Sequence, residues 1–80
     1  MPVADTSANL AHKATSLASE STRQNDVAKA ITAGGGSAVV ALAIKQAEVA
    51  HYNRLAASAL ANGVESAVFV QAAAWVGTHA

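Results

Sequence analysis

The stretch between two glycine boundaries in the middle of the chain most constrains its fold. Residues 37–62 contain neither glycine nor proline, whereas Gly34-Gly35-Gly36 precedes them and Gly63 follows. Alanine and leucine favour helix here, and Ser37 is a suitable N-cap. Residues 37–44 are apolar on every side, so one neighbouring helix cannot cover them. The sequence therefore predicts a central helix that needs neighbours on more than one face.

Helical periodicity predicts a first helix before the three glycines. Val3, Leu10, Leu17 and Ile31 recur on a seven-residue register, which Gln24 interrupts. The predicted helix covers residues 5–33, with Asp5, Thr6 or Ser7 as its cap. The alternate positions of the same register are small: Ala14, Ser21 and Ala28. Close approach of another helix is the packing that such a stripe permits.

Three helix boundaries rest on weaker signals. The polar stretch 19–26 either interrupts the first helix or continues it, because its Ser, Thr, Asn and Asp side chains compete for backbone hydrogen bonds. Gly63 either turns the chain or only bends one long helix. Residues 64–76 show helical periodicity again, and Gly77 is expected to end the last helix.

These signals predict one all-α domain over residues 1–80, with two or three helices and a helical hairpin closed by Gly34–36. Such a chain buries only about 60% of its unfolded surface. There is no cysteine to add a disulfide, while 52% of the residues are hydrophobic and 22 are alanine. We therefore expect the helices to self-assemble as a homo-oligomer or homopolymer. The residues expected to pack in that assembly are Val39, Val40, Leu42, Ile44, Leu55, Leu60, Phe69 and Trp75.

Composition argues against several classes of partner. Five basic and five acidic residues give no net charge, unlike a nucleic-acid-binding surface. The longest uncharged stretch, residues 30–44, is shorter than a membrane span. The N-terminus carries Asp5 and lacks the long apolar run of a signal peptide. We expect a cytoplasmic protein whose partners are copies of itself, with related small subunits left open, and which contacts a membrane only as an effect of its assembly.

One spacing resembles a metal site. Glu48 and His51 lie three residues apart on one helix face, which is the Glu-x-x-His spacing of di-iron helical bundles. Glu20 is the candidate third ligand, so a small ferritin-like iron protein is an alternative. A solvated Glu–His pair is the simpler interpretation, and no catalytic, cofactor-binding or metal-binding residue is predicted. Without cysteine or a Gly-x-Ser-x-Gly turn, we expect no enzyme.

The three histidines are candidate pH sensors. Histidine ordinarily titrates near pH 6 to 6.5, so His12, His51 and His79 would together raise the net charge from zero to about +3. Glu48 is the expected neighbour of His51. Because each added charge repeats along a polymer, mild acidification would favour one packing over another.

A series of short elements resembles the R-body (Reb) protein family. The order Asn25, Val27, Lys29 is followed by a small-residue turn, then Ser-Ala-Val-Val-Ala-Leu over 37–42 and Gln-Ala over 46–47. Gln-Ala-Ala-Ala-Trp-Val-Gly over 71–77 completes the similarity, which spans residues 25–77. The resemblance implies a small helical subunit of a ribbon coiled in the bacterial cytoplasm, which extends when the pH falls and disrupts membranes.

The leading hypothesis is therefore a structural, self-assembling helical subunit, with a pH-responsive ribbon as its refinement. Besides the iron protein, a helical interaction module that forms a discrete dimer is a further alternative.

Overall fold

The computed structural model describes residues 7–79, and within them it leaves the side chains of Ala8 and His79 undescribed. The described part consists of three α-helices and contains no strand. Helix α1 spans Ser7–Ala33, α2 spans Ser37–Ala61 and α3 spans Ala67–His79. The predicted all-α class is confirmed. Val3, Asp5 and Thr6 of the predicted first helix lie outside the described residues.

Helix α2 is the centre of the molecule, since α1 packs against it from one side and α3 from another. The extents are 45 × 23 × 22 Å, and the Cα radius of gyration is 14.4 Å. A compact chain of this length has a radius of gyration of about 12 Å. The bundle is therefore elongated, and much of each long helix lies near the surface.

Helix α1 continues through the polar stretch 19–26 without a break. The hydroxyls of Ser16 and Thr22 each donate to the carbonyl four residues earlier, so they bond within the helix instead of interrupting it. The Glu20 carboxylate accepts hydrogen bonds from Arg23 and Gln24, which lie on the same helix face. Side-chain pairing thus offsets the weak helix propensity of this stretch.

The connection between α1 and α2 needs its glycines. Gly34, Gly35 and Gly36 have φ values of 65°, 97° and 101°, which other residues adopt only with strain. The prediction of Ser37 as N-cap is wrong by one residue. Gly36 is the N-cap, with no side-chain hydrogen bond, and its carbonyl accepts the first intrahelical bond, from Val40. Helical backbone angles begin only where the positive φ values end.

Gly63 turns the chain, and α2 and α3 are separate helices. The Val64 N–H donates to the Ala59 carbonyl and the Gly63 N–H to that of Leu60, with Gly63 at φ 69°. This is the pattern of a Schellman cap with glycine in the left-handed region. The Glu65 carboxylate then accepts from the Ala67 N–H, so α3 begins at Ala67 and not at residue 64.

The predicted end of the last helix is also wrong. Helix α3 runs through Gly77 to His79, and Gly77 does not have a positive φ. The Thr78 hydroxyl donates to the Ala74 carbonyl, a bond that belongs to the helix. Glycine weakens a helix interior but ends it only where the chain needs a left-handed residue.

The core is built mainly from small side chains. Its buried apolar residues in the described part are Ala47, Leu55, Ala59, Ala73 and Val76. Of the larger predicted packing residues, Leu55 alone lies in this core. Val40, Ile44 and Phe69 are half-buried, and the exposed ones are Val39, Leu42, Leu60 and Trp75. Among the residues described, no helix combines the length and hydropathy that a membrane span requires.

Candidate functional site

Polar side chains are buried beside apolar ones, such as Leu55, in the contact between α1 and α2. Ser19 is 4% exposed and His51 is 7% exposed, and Ser58 is also buried. We call the set His12, Ser19, His51, Arg54 and Ser58 the polar interface. Buried polar groups are costly unless they are hydrogen-bonded, and every member of this set has such a bond across the two helices.

Ser19 joins two side chains of α2. Arg54 Nε–H donates to Ser19 Oγ at 2.8 Å, and Arg54 Nη2–H to the Ser19 carbonyl at 3.4 Å. Ser19 Oγ also lies 2.8 Å from Nδ1 of His51. Because the guanidinium can only donate, the Ser19 oxygen accepts from it, which leaves the hydroxyl proton for a neutral His51 ring. His51 Nε2 then faces Glu20 Oε2 at 3.4 Å.

A second histidine–serine pair lies one heptad away. His12 Nδ1 is 3.0 Å from Ser58 Oγ, and Asn62 Nδ2–H donates to the Ser58 carbonyl at 2.8 Å. The His12 ring also contacts Phe69 of α3, with ring centroids 5.4 Å apart. His12 therefore touches both other helices.

The two pairs share one register. His12 and Ser58 are equidistant along the chain from Gly35, and so are Ser19 and His51. In an antiparallel hairpin that turns at Gly35, residues at equal distances from the turn face each other. The hairpin geometry thus places each histidine opposite a serine of the other helix.

Glu20 and Arg23 place an ion pair beside His51. The Arg23 guanidinium bonds the Glu20 carboxylate and forms an ion pair with it. Hydrogen bonding from Arg23 lowers the pKa of Glu20 below its usual value, and the same bond raises the pKa of Arg23. Glu20 is thus held as an anion facing the imidazole edge of His51.

The predicted pH-sensing residues are distributed unevenly. His12 and His51 belong to the polar interface, and the acid recorded within ion-pair distance of His51 is Glu20 rather than the expected Glu48. Glu48 is half-buried on α2. The side chain of His79 lies outside those described.

The structure brings together two of the three ligands considered for iron, Glu20 and His51. Within the described residues, no three His, Cys, Asp or Glu side chains are close enough to hold a metal ion. The order Ser19, His51, Glu20 also resembles a hydrolytic triad. Ser19 is nevertheless buried, its oxygen accepts from Arg54, and it lies mid-helix, where backbone N–H groups are already bonded. These residues hold two helices together.

Water reaches the polar interface from one side. A shallow groove of about 430 Å³ is lined by α1 and α2 side chains. Its lining residues are Lys13, Ser16, Leu17, Glu20, His51 and Leu55. Protons can therefore reach His51 without opening of the hairpin.

Sequence reasoning missed Ser19, Arg54 and Ser58, which have no distinctive spacing within their own helices. The available signal was the hairpin centre: reflection of His12 and His51 through Gly35 falls on a serine in both cases.

Comparison with known proteins does not add a family. No protein-family model matches the chain, and neither a curated protein nor a solved structure matches it significantly.

Proposed function

We propose that this chain is a non-enzymatic structural subunit that assembles with copies of itself through its exposed apolar helix faces. The observation that carries the proposal is the distribution of side chains: polar groups are buried in the α1–α2 contact, whereas many of the large apolar groups face solvent. Association is the ordinary way to remove such groups from water.

The surface area supports this proposal. The chain has 5240 Å² of accessible surface, whereas a folded monomer of 8.0 kDa has about 4,500 Å². Leu17 is 74% exposed and Leu60 is 75% exposed, although both are large aliphatic residues. The exposed large apolar residues of the described part are Leu10, Leu17, Ile31, Val39, Leu42, Leu60, Val68, Val70 and Trp75.

These residues are distributed over all three helices, so one contact does not cover them. Leu17 is exposed on α1, whereas Leu42 and Leu60 share a face of α2, and Val68 and Trp75 share a face of α3. A subunit with several apolar faces favours a repeating assembly over a closed dimer.

Acid responsiveness is the second part of the proposal. Protonated His51 would present an N–H to Ser19 Oγ, which already accepts from Arg54, so the hydroxyl proton must turn elsewhere. The charged and titratable side chains around His51 are Lys13, Glu20 and Arg23 of α1, and Glu48, Tyr52 and Arg54 of α2. Two of these are guanidinium cations, and the Glu20 carboxylate is the anion in ion-pair contact with the ring.

Protonation of His12 and His51 would therefore add positive charge inside the α1–α2 contact and change the angle at which the two helices pack. The resemblance to the R-body family suggests the form of the assembly: a coiled ribbon in the bacterial cytoplasm that extends on acidification and disrupts membranes.

Electron microscopy of the purified protein at pH 7 and pH 5 tests this function. The proposal predicts filaments or ribbons at both pH values, with different shapes. Replacement of His12, His51 and His79 by Gln should move the change in shape to lower pH. An unaltered midpoint would remove the histidines from the mechanism, and dispersed small particles at both pH values would contradict the assembly itself.

A further inference from the structure

Helix α1 carries a complete heptad stripe that nothing in the structure covers. From Leu10 to Ile31 the stripe advances by four and three residues alternately, which is the spacing of a coiled-coil interface. We call it the heptad seam. Its seven members are all exposed: Leu10, Ala14, Leu17, Ser21, Gln24, Ala28 and Ile31.

The heptad seam lies opposite the contact with α2. His12 and Ser19, which bond α2, fall about half a helical turn from the seam, at the outermost position of the same heptad. Helix α1 therefore packs within the chain through its polar side, and its Leu and Ile side chains are exposed, with Leu17 at the edge of the groove beside α2. Intramolecular packing and the seam do not compete for the same residues.

We infer that the heptad seam binds the same seam of a second copy of this chain, with the two α1 helices antiparallel. This inference rests on the proposed function, because it assigns one of the contacts of the self-assembly. The basis for it is that the side chains of the heptad seam are complementary in size to those of the same seam in a second copy.

Antiparallel pairing centred between Ser21 and Gln24 matches Leu17 and Ile31 with alanines and leaves Leu10 beyond the paired part of the two helices. Ile31 would lie opposite the Ala14 position of the second copy, Leu17 opposite Ala28, and Ser21 opposite Gln24. Every apolar layer then contains one alanine and one larger aliphatic side chain, so the helices keep a uniform separation. The two polar residues meet in the central layers, where Gln24 can bond the Ser21 hydroxyl.

Parallel pairing in register fits less well. It would alternate layers of two alanines with layers of two Leu or Ile side chains, so the helix separation that suits one layer leaves gaps or clashes in the next. It would also place two Gln24 side chains in one layer. Neither arrangement brings like charges into the seam, because none of its seven residues is charged.

Cysteine cross-linking of the full-length chain tests the inference, because the natural sequence has no cysteine. Ala14→Cys and Ile31→Cys proteins would be mixed and oxidised under mild conditions, and the disulfide-linked products identified by mass. Antiparallel pairing predicts that the mixed product exceeds each self-linked product at least tenfold. In that arrangement two copies of residue 14 lie roughly 26 Å apart along the helix axis, too far for a disulfide.

Thr22→Cys is the matched control, since Thr22 is exposed on α1 but outside the heptad seam. It should cross-link no faster than two unassociated chains. Circular dichroism should show that each variant keeps its helices.

The other outcomes separate the two proposals. Self-linked products from Ala14→Cys and from Ile31→Cys would show parallel pairing and overturn the inference. Natural chains that assemble while neither seam variant cross-links above the control would place the contact on another face, which also overturns it. Natural chains that stay monomeric would overturn the proposed function as well.

Discussion

The hydroxyl oxygen of Ser19 on α1 forms hydrogen bonds with two side chains of α2 and so links the two long helices. That oxygen lies 2.8 Å from Arg54 Nε and 2.8 Å from His51 Nδ1, and the residue is buried. Removal of the hydroxyl leaves both nitrogens without that partner at a largely buried position. The loss of folding free energy comes mainly from the two nitrogens left without a hydrogen-bond partner, and less from the lost contact itself.

We therefore expect Ser19→Ala to lower the free energy of unfolding by about 1–3 kcal/mol, measured by urea denaturation. Thr22→Ala is the control, because the Thr22 hydroxyl is exposed and bonds only a carbonyl of its own helix. It should change stability little or raise it slightly, since alanine favours helix. Equal effects of the two substitutions would show that the Ser19 bonds do not hold the hairpin.

The Glu20–Arg23 ion pair makes the stability of the fold depend on pH in the acid range. Because the pKa of Glu20 is lowered in the folded chain, mainly by its bond to Arg23, the pair stabilises the fold fully above the ordinary carboxyl pKa of 4.5. That stabilisation is lost as the pH falls through the lowered pKa. Glu20→Gln should therefore reduce the loss of stability between pH 5 and about pH 3, measured by denaturation at each pH.

Arg23→Gln removes the cause of the pKa shift and should reduce the same loss of stability. The double substitution should add little to either single one, because both act on one interaction. Additive effects would show that the two residues influence acid stability separately.

At the scale of the helices, matched glycine substitutions should have opposite signs. Gly63 has φ 69° in the cap of α2, so Gly63→Ala should cost about 1 kcal/mol of unfolding free energy. Gly77 lies in helix α3, and a Cβ there meets nothing within 4 Å. Gly77→Ala should stabilise by about 0.5–1 kcal/mol. Thermal unfolding of the two variants checks both signs, and destabilisation by Gly77→Ala would contradict a helical Gly77.

The all-helical class and the glycine connection between the first two helices follow from local sequence, whereas the turn at Gly63, and with it the number of helices, was left open. Glycine boundaries and helix propensity are properties of a few neighbouring residues, and they located α1 and α2 closely. Ser37 and Gly77 were misassigned because the glycine run determines where helical angles begin, and a glycine without a turn does not end a helix.

The polar interface could not be predicted in the same way. Spacing within one helix points from His51 to Glu48, whereas the recorded contacts run from His51 to Ser19 and Glu20 on the other helix. Those contacts depend on the register of the hairpin about Gly35, which the spacing of residues within one helix does not show. The exposed Leu17 and Leu60 likewise show that an apolar residue in a helix need not face its own chain.

At the scale of the whole molecule, the elongated shape and the small apolar core are connected. The bundle is long and has a core rich in alanine, and its larger aliphatic side chains face outward. Contacts within a single chain bury little apolar surface, whereas folding must still offset the conformational entropy lost by the whole backbone. Folding of the chain by itself is therefore marginal. Under the proposed self-assembly, contact with other copies would supply the missing burial and would couple assembly to folding.

Sedimentation velocity over a dilution series, with helicity followed in parallel by circular dichroism, tests the central claim most directly. The account predicts species much larger than 8.0 kDa at micromolar concentration, with mass and helicity falling together on dilution. A single compact chain of 8.0 kDa that keeps its full helicity at every concentration would contradict it.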